Sequence, residues 1–368
     1  MIPVAMIAAF PPPVGGQSLA AKLLYDGLSP DEFDVFKLDL AESIGGDPFL
    51  KRFYQLAGIE IKLISLCMRE PELIVYLQLG HGKVSIIRDL VYIATASAFK
   101  KSCVAHVHGS GFRAALDALP APIRELDKIV LKKLKAAVVL SDSLKKMFDH
   151  IVDEERIFAI DNGIDPEFVA MTDNAPVRTC HENQFHILFL SNFLTLKGFS
   201  TLLRTAVLAQ NREKCWHFTF IGEKIENQDV DIDGFISDYQ LNNVTVRSVV
   251  QGKDKHDAYQ SADVFVLPSI YEGQPLCILE AMFESLPVVT TKVGGIPEIF
   301  ATDETCVEYV EPNNPEQLFH VFDRLEKQPE LRLSMGQHAR QIAQSRFLPQ
   351  KHIDIMSKLF RDVFEHKL

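Results

Sequence analysis

The sequence predicts an α/β fold of two Rossmann-like, doubly wound parallel sheets in series. Three observations predict it. Short β-branched runs alternate with longer runs of helical apolar spacing, the pattern of parallel strands joined by helices. The pattern occurs twice, on either side of a polar, aperiodic stretch at 171–184 that reads as a linker. The length, 368 residues, suits about two domains of roughly 100–200 residues each.

In the first half, strands are expected at 4–10, 33–40, 72–79, 103–109, 136–141 and 157–163, with helical runs at 17–28, 51–69, 82–99, 121–135 and 142–149. In the second half, strands are expected at 185–191, 217–222, 244–250, 264–269, 287–291 and 306–310. Helices fall near 198–211, 232–240, 253–261 and 275–285, and the chain is all helical after Pro315. The expected domains are therefore 1–170 and 185–348, followed by a last helix at 349–368.

Composition narrows the function classes. At 47% hydrophobic and 24% charged the chain is an ordinary globular protein that needs no metal or disulfide staple. A net charge of −11 disfavours a nucleic-acid partner, which calls for a basic surface. The six cysteines, Cys67, Cys103, Cys180, Cys215, Cys277 and Cys306, form no C-x-x-C pair, as expected of reduced cytoplasmic thiols. No signal peptide is visible, and the apolar run Val84–Phe99 is short and broken by Arg88 and Asp89. The expectation is a soluble protein that at most lies on a membrane surface.

In doubly wound sheets ligands bind beyond the carboxyl ends of the strands, so the loops there are the places to look for chemistry. "FPPPVGGQS" (10–18) carries Gly15 and Gly16, which can take positive φ before a helix N-terminus that favours an anion. "HVHGSGF" (106–112) places His106 and His108 on one face of a strand end; either serves equally as a core residue, and His108 is the better placed to reach a ligand. In "SNFLTLKGF" (191–199), Lys197 stands beside a helix N-terminus, where the macrodipole opposes it unless an anion lies between. The acidic "DVDID" (229–233) lies in a polar insertion rather than at a strand end and reads as a solvated loop, so no metal site is expected. "IYEGQPLCILEAMF" (270–283) holds two glutamates eight residues apart. Pro275 suits a first helical turn with Gln274 near the N-cap. Amides near 275–277 then face a ligand, and Leu276, Leu279 and Phe283 form an apolar stripe. Glu280 lies on or beside that stripe, a costly place for a carboxylate that accepts no hydrogen bonds; two vicinal ribose hydroxyls would supply them.

Together these residues resemble the family 4 retaining glycosyltransferases of GT-B fold. "PSIYEGQPLCILEAMFESLPVVTTKVGGIPEIF" looks like that family's signature region, and its E-x7-E pair matches Glu272 and Glu280. "PPPVGGQS", "HVHGSGF", "VVLSDSLKK", "IDNGID", "SNFLTLKGF" and "FIGE" follow in the family's order, so the resemblance covers most of the chain. It implies a GT-B arrangement: an acceptor-side N-terminal domain, a donor-side C-terminal domain, a central cleft, and a last helix crossing back to the first domain. It also implies roles. Glu280 would hold the nucleotide ribose, and Glu272 with Gly273, Gln274, Pro275 and Leu276 the donor sugar. Lys197, with Gly15 and Gly16, would neutralise the diphosphate. Asn192 and Gly222 would line the donor site, and His108 would lie near the reacting centre. Asn192 stands where the family commonly has an arginine; Arg247 or Lys224 is a candidate helper.

The implied activity is metal-independent transfer, with retained configuration, from a UDP- or GDP-linked sugar to a saccharide or lipid-linked glycan, as in bacterial-type surface polysaccharide or glycoconjugate synthesis. No cofactor is expected. The alternatives are another GT-B activity, such as a sugar phosphorylase, and a catalytically silent nucleotide-sugar-binding subunit. The basic amphipathic stretches 51–69 and 124–135 suit peripheral contact with an anionic membrane, or are ordinary helices packed on a sheet.

Overall fold

The computed structural model describes residues 1–41, 49–173, 184–226 and 228–367, with side chains in the helix that opens at Phe49 described from Phe53 onward. The chain forms two compact units, one of Met1–Gly163 with Pro349–Leu368 and one of Ile164–Leu348.

In the first unit the elements are β1 (Ile2–Ala8), α1 (Gly16–Gly27), β2 (Phe33–Asp39), α2 (Phe49–Arg69), β3 (Ile74–Gln78), α3 (Lys83–Ala98), β4 (Ser102–His106), α4 (Phe112–Asp117), α5 (Ala121–Leu131), β5 (Ala136–Val139) and β6 (Ile157–Ala159). The strands pair in parallel in the order β2-β1-β3-β4-β5-β6. β3 and β5 are buried at every position, as befits strands covered on both faces. One face packs Leu63, Ile93 and Leu131 from α2, α3 and α5. The other packs Ala21 and Leu24 of α1 with Met356, Phe360 and Val363 of the final helix.

The second unit runs α6 (Pro166–Asp173), β7 (Phe185–Leu190), α7 (Phe199–Asn211), β8 (Trp216–Ile221), α8 (Ile232–Asp238), β9 (Val244–Arg247), α9 (Gly252–Gln260), β10 (Val264–Leu267), α10 (Leu276–Phe283), β11 (Val288–Thr290), α11 (Ile296–Ile299), β12 (Val307–Tyr309), α12 (Pro315–Lys327) and α13 (Pro329–Arg346). Its parallel order is β12-β11-β10-β7-β8-β9. The chain then re-enters the first unit as α14 (Pro349–Phe364). In the second sheet the order turns between β7 and β10, and a pair of strands whose connections leave in opposite directions opens a crevice at their carboxyl ends. The loops after these two strands carry Lys197 and Glu272.

Several expectations change in detail. The strand predicted over 103–109 ends at His106, so His108 lies in the loop beyond. The run 142–149 is a 3₁₀ helix, Asp142–Phe148. The first unit ends at Gly163 rather than 170. The start of the predicted linker belongs to α6, where Thr172 is buried and donates to the Val169 carbonyl at 2.8 Å; the rest of it, 174–183, lies outside the described residues. Among the described residues no helix is long and apolar enough to cross a membrane.

Gly15 has an extended backbone at φ −158 rather than the positive φ expected, because it caps α1. The left-handed positions are elsewhere. Gly198 has φ +78, and a Cβ there would stand 2.1 Å from the Pro268 carbonyl oxygen; Gly294 has φ +56, and its Cβ would stand 1.7 Å from that of Glu272. Gly198→Ala is therefore expected to lower unfolding free energy by about 1–3 kcal/mol. Gly15→Ala, which meets nothing within 4 Å, should change it by less than about 0.5 kcal/mol. Urea denaturation of the two variants checks the contrast.

Candidate functional site

The two loops at the switch point are tied to each other. The Ile270 amide donates to the Leu196 carbonyl at 2.8 Å. Thr291 donates from Oγ1 to the Ser269 carbonyl at 2.6 Å, and the Gly295 amide donates to that of Gly273 at 3.0 Å. Within this frame Lys197 Nζ reaches both oxygens of Glu272 at 2.8 Å. Ser269 Oγ donates to the same carboxylate at 2.7 Å. The Lys197 side chain keeps 26% of its surface while Glu272 keeps 5%, so a part-exposed lysine side chain lies over a buried counter-charge. Burial opposes the ammonium, but the charge and hydrogen bonds of Glu272 outweigh it, with a smaller push from Cys277. Lys197 therefore titrates above the ordinary lysine range. A lysine beside a helix N-terminus calls for an anion, and the protein supplies its own in Glu272.

Glu280 is likewise satisfied from within. Lys255 Nζ of α9 meets its Oε1 at 2.6 Å, and Tyr259 donates to its Oε2 at 2.8 Å. Next to it, His256 and Gln260 bond the two oxygens of the buried Glu284. The predicted apolar stripe understates α10, which is buried on all sides from Ile278 to Phe283. Ribose hydroxyls are thus not needed to explain a carboxylate there. Sequence reasoning missed Lys255 and Tyr259. Their spacing of four puts them on one face of α9, but nothing local shows that α10 lies opposite.

The remaining predicted residues of this unit fall on the same loops. Gly273 and Gln274 are buried. Pro275, not Gln274, is the N-cap of α10, so the first amides of the helix, which its own ladder leaves unused, belong to Leu276 and Cys277. Asn192 lies two residues past the end of β7, and its Oδ1 accepts from the Glu223 amide at 3.3 Å. Gly222 packs so closely that a Cβ would stand 2.0 Å from the Ser191 carbonyl oxygen. Of the two candidate helpers, Lys224 pairs with Asp233 and Arg247 is exposed at the end of β9. In the acidic insertion Asp231 caps α8 through the Gly234 amide at 3.1 Å.

In the first unit, Gly15, Gly16 and His108 follow β1 and β4. Ser18 Oγ accepts from the Gly15 amide at 3.0 Å and donates to the Pro13 carbonyl at 2.9 Å. The rings of His106 and His108 do share a face, 4.0 Å apart. His106 is fully buried, with Nδ1 at 2.8 Å from the Tyr76 hydroxyl. His108 Nε2 lies 3.1 Å from Gln78 Nε2, so that amide donates and Nε2 accepts. Burial, then the neighbouring His352 and His81, push the His108 pKa down to about 3 against a smaller opposing bond from Asn162. His108 is a neutral imidazole at neutral pH. Among the described residues no group of three or more His, Cys, Asp or Glu is arranged to hold a metal ion.

Residues 172–342 match the family model for "Glycosyl transferases group 1". They belong to that family. The group 1 match takes in Lys197, Glu272 and Glu280 together. Among relatives, the D-inositol 3-phosphate glycosyltransferase of Pseudarthrobacter chlorophenolicus is 26% identical over 205 residues, 54% of this chain and 49% of that protein. Its counterpart in Paenarthrobacter aurescens is 30% identical over 172 residues, 46% and 42% of the two chains. The chain thus spans about half the length of the curated relatives it matches. Among solved structures, sucrose-phosphate synthase from Thermosynechococcus elongatus is similar over 100% of both chains, with a TM-score of 0.76 at 19% identity. Anabaena HepE in complex with UDP and glucose is similar over 98% of this chain and 100% of that one, with a TM-score of 0.70 at 15% identity. At such identity the likeness shows the fold, which is GT-B.

Removing Lys255 strands a buried carboxylate. Lys255→Met is expected to cost about 2–4 kcal/mol, and Tyr259→Phe about 1–2 kcal/mol, both read from denaturant midpoints. The depressed His108 pKa carries a pH signature. The unfolded imidazole protonates near 6.5 and the folded one only near 3, so the unfolded state binds more protons between those values. This contribution to stability is complete above about pH 6.5 and is lost as pH falls toward 3. His108→Gln should flatten the acid limb of the unfolding free energy measured across that window.

Proposed function

We propose that the chain is a retaining glycosyltransferase that moves a sugar from a UDP- or GDP-linked donor to a saccharide or lipid-linked glycan in the cytoplasm, in surface polysaccharide or glycoconjugate synthesis. The observation that carries the reading is Lys197, its side chain part exposed and its ammonium held by Glu272, which Ser269 bonds in turn, at the switch point of a group 1 domain. A diphosphate placed there gains a preoriented cation and the N-terminus of α10. Anabaena HepE, of the same fold, is solved with UDP.

In the reaction, the bond from the anomeric carbon to the diphosphate oxygen breaks, and the electron pair stays on the diphosphate. Lys197 and the α10 amides stabilise that charge. The acceptor hydroxyl attacks from the same face and passes its proton to the departing diphosphate. Fixed donors take the place of a metal, and activity should persist in EDTA. On the family resemblance, His108 would act as a neutral hydrogen-bonding group and not as a cation. Glu272 holds donor hydroxyls with the lone pairs that Lys197 and Ser269 leave, and Glu280 holds the ribose on the same terms.

A panel of UDP, GDP and ADP with their sugar conjugates, read by thermal shift and then by product formation, tests this reading. One nucleotide family should raise the midpoint. Lys197→Met should weaken its binding about tenfold or more, the worth of a charge-assisted hydrogen bond. If no nucleotide diphosphate binds, the proposal fails. A second reading, a silent binding subunit, draws on Asn192, which brings no charge to the site and turns its Oδ1 to the Glu223 amide. Binding without turnover on any acceptor would favour it.

A further inference from the structure

We propose that Gln78 is the positioning residue of His108: its amide holds the imidazole with the proton on Nδ1 and occupies the lone pair on Nε2. The part His108 plays in transfer rests on the transfer reading; the place of its proton does not. β3 lies between β1 and β4 in the sheet. Gln78 is its last residue, level with His106 of β4 and one step past the pairing of Ile7 with Leu77. A side chain at that point can reach the loops beyond both neighbouring strands. Gln78 Nε2 donates to the Gln17 carbonyl in the first turn of α1 at 3.3 Å, and it lies 3.1 Å from His108 Nε2. Gln78 is 1% exposed, at the end of a strand that is otherwise Ile74, Val75, Tyr76 and Leu77. A buried amide is costly in such a place unless it is bonded.

The two contacts decide which way the amide faces. The atom 3.1 Å from the imidazole is also the atom that meets the Gln17 carbonyl oxygen. An oxygen there would face another oxygen with no proton between them. The amino group therefore takes the position, and its two hydrogens serve both contacts. His108 Nε2 accepts, which leaves the ring proton on Nδ1. With the ring turned over, a carbon would face the amino group instead, and the bond would be lost. The ring of His106 backs that of His108, with centroids 4.0 Å apart. A neutral imidazole has one lone pair, and here it is taken. His108 can then donate a hydrogen bond to an oxygen but cannot take a proton from an acceptor hydroxyl. The departing diphosphate is left as the base, in keeping with same-face attack.

The test reads the tautomer directly. Long-range proton–nitrogen correlation spectra of the full chain with isotope-labelled histidine should show His108 protonated on Nδ1 and bare on Nε2. Its signals among the 12 histidines are those lost in His108→Gln. Gln78→Met, close to glutamine in length, should release the ring to a mixture of tautomers. Gln78→Glu, whose carboxylate only accepts, should move the proton to Nε2. With the nucleotide sugar that the donor panel selects, Gln78→Met should lower kcat about two- to tenfold, the range for one hydrogen bond. KM for the donor should stay within about twofold, and circular dichroism should match the parent. His108 protonated on Nε2 in the parent chain overturns the proposal. So does a folded Gln78→Met chain that keeps the parent's single tautomer, and an altered tautomer with kcat unchanged overturns the positioning role. The expected tautomer in a parent chain that turns over no donor overturns the transfer reading and leaves the proton on Nδ1.

Discussion

A carboxylate withdrawn from water must be paired or bonded, and the second unit is organised around that demand. Glu272, Glu280 and Glu284 are all nearly inaccessible. Each is met by a cation, a hydroxyl or an amide carried on a different element: Lys197 and Ser269 from the loops after β7 and β10, Lys255 and Tyr259 from α9, His256 and Gln260 from the same helix. An unpaired charge in these places would cost several kcal/mol. The pairs therefore fix where α9 sits on α10 and how the Lys197 loop meets the Glu272 turn. The site geometry is a by-product of satisfying buried charge.

The same arrangement shapes what the site can attract. Lys197 already bonds both oxygens of Glu272, so a small anion gains little by displacing water from it. A ligand long enough to reach the N-terminus of α10 as well, such as the proposed diphosphate, would add contacts that a lone small anion would not. The histidines of the first unit follow the opposite principle. His106, His108 and His352 lie close together and stay neutral because burial penalises each charge and each would repel the next.

The fold was legible in the sequence because the strands are central and parallel. A run such as "ILFL" in β7 or "VFVL" in β10 is apolar on both faces and can hardly be read otherwise. Lys197 and Glu280 stood out for a similar reason, since each breaks a local rule of helix electrostatics or burial, whereas Glu272 was singled out by its spacing from Glu280 and by the family resemblance. What could not be read were their partners. Lys255 and Glu280 are 25 residues apart, and only the packing of α9 on α10 brings them together. The left-handed glycines were also misassigned, because both "VGGQS" and "TLKGF" suit a turn and only the close approach to Pro268 tells which needs φ above zero. Short helices such as α4 and α6 gave too few residues for a period to show.

The return of α14 to the first unit bears on how the chain is made. One face of that unit's sheet is covered by α1 and α14 together, with Met356, Leu359, Phe360 and Val363 of α14 in its core. Those residues leave the ribosome only after the whole of the second unit. At roughly 5–20 residues per second, the strands of the first unit wait on the order of ten to forty seconds between synthesis of Gly163 and arrival of Pro349. For that interval an apolar sheet face lies partly bare on the nascent chain, while Ile164–Leu348 has all of its own core and is free to fold. The order of completion is thus the reverse of the order of synthesis: the second unit closes first, and the first is finished only once α14 has emerged.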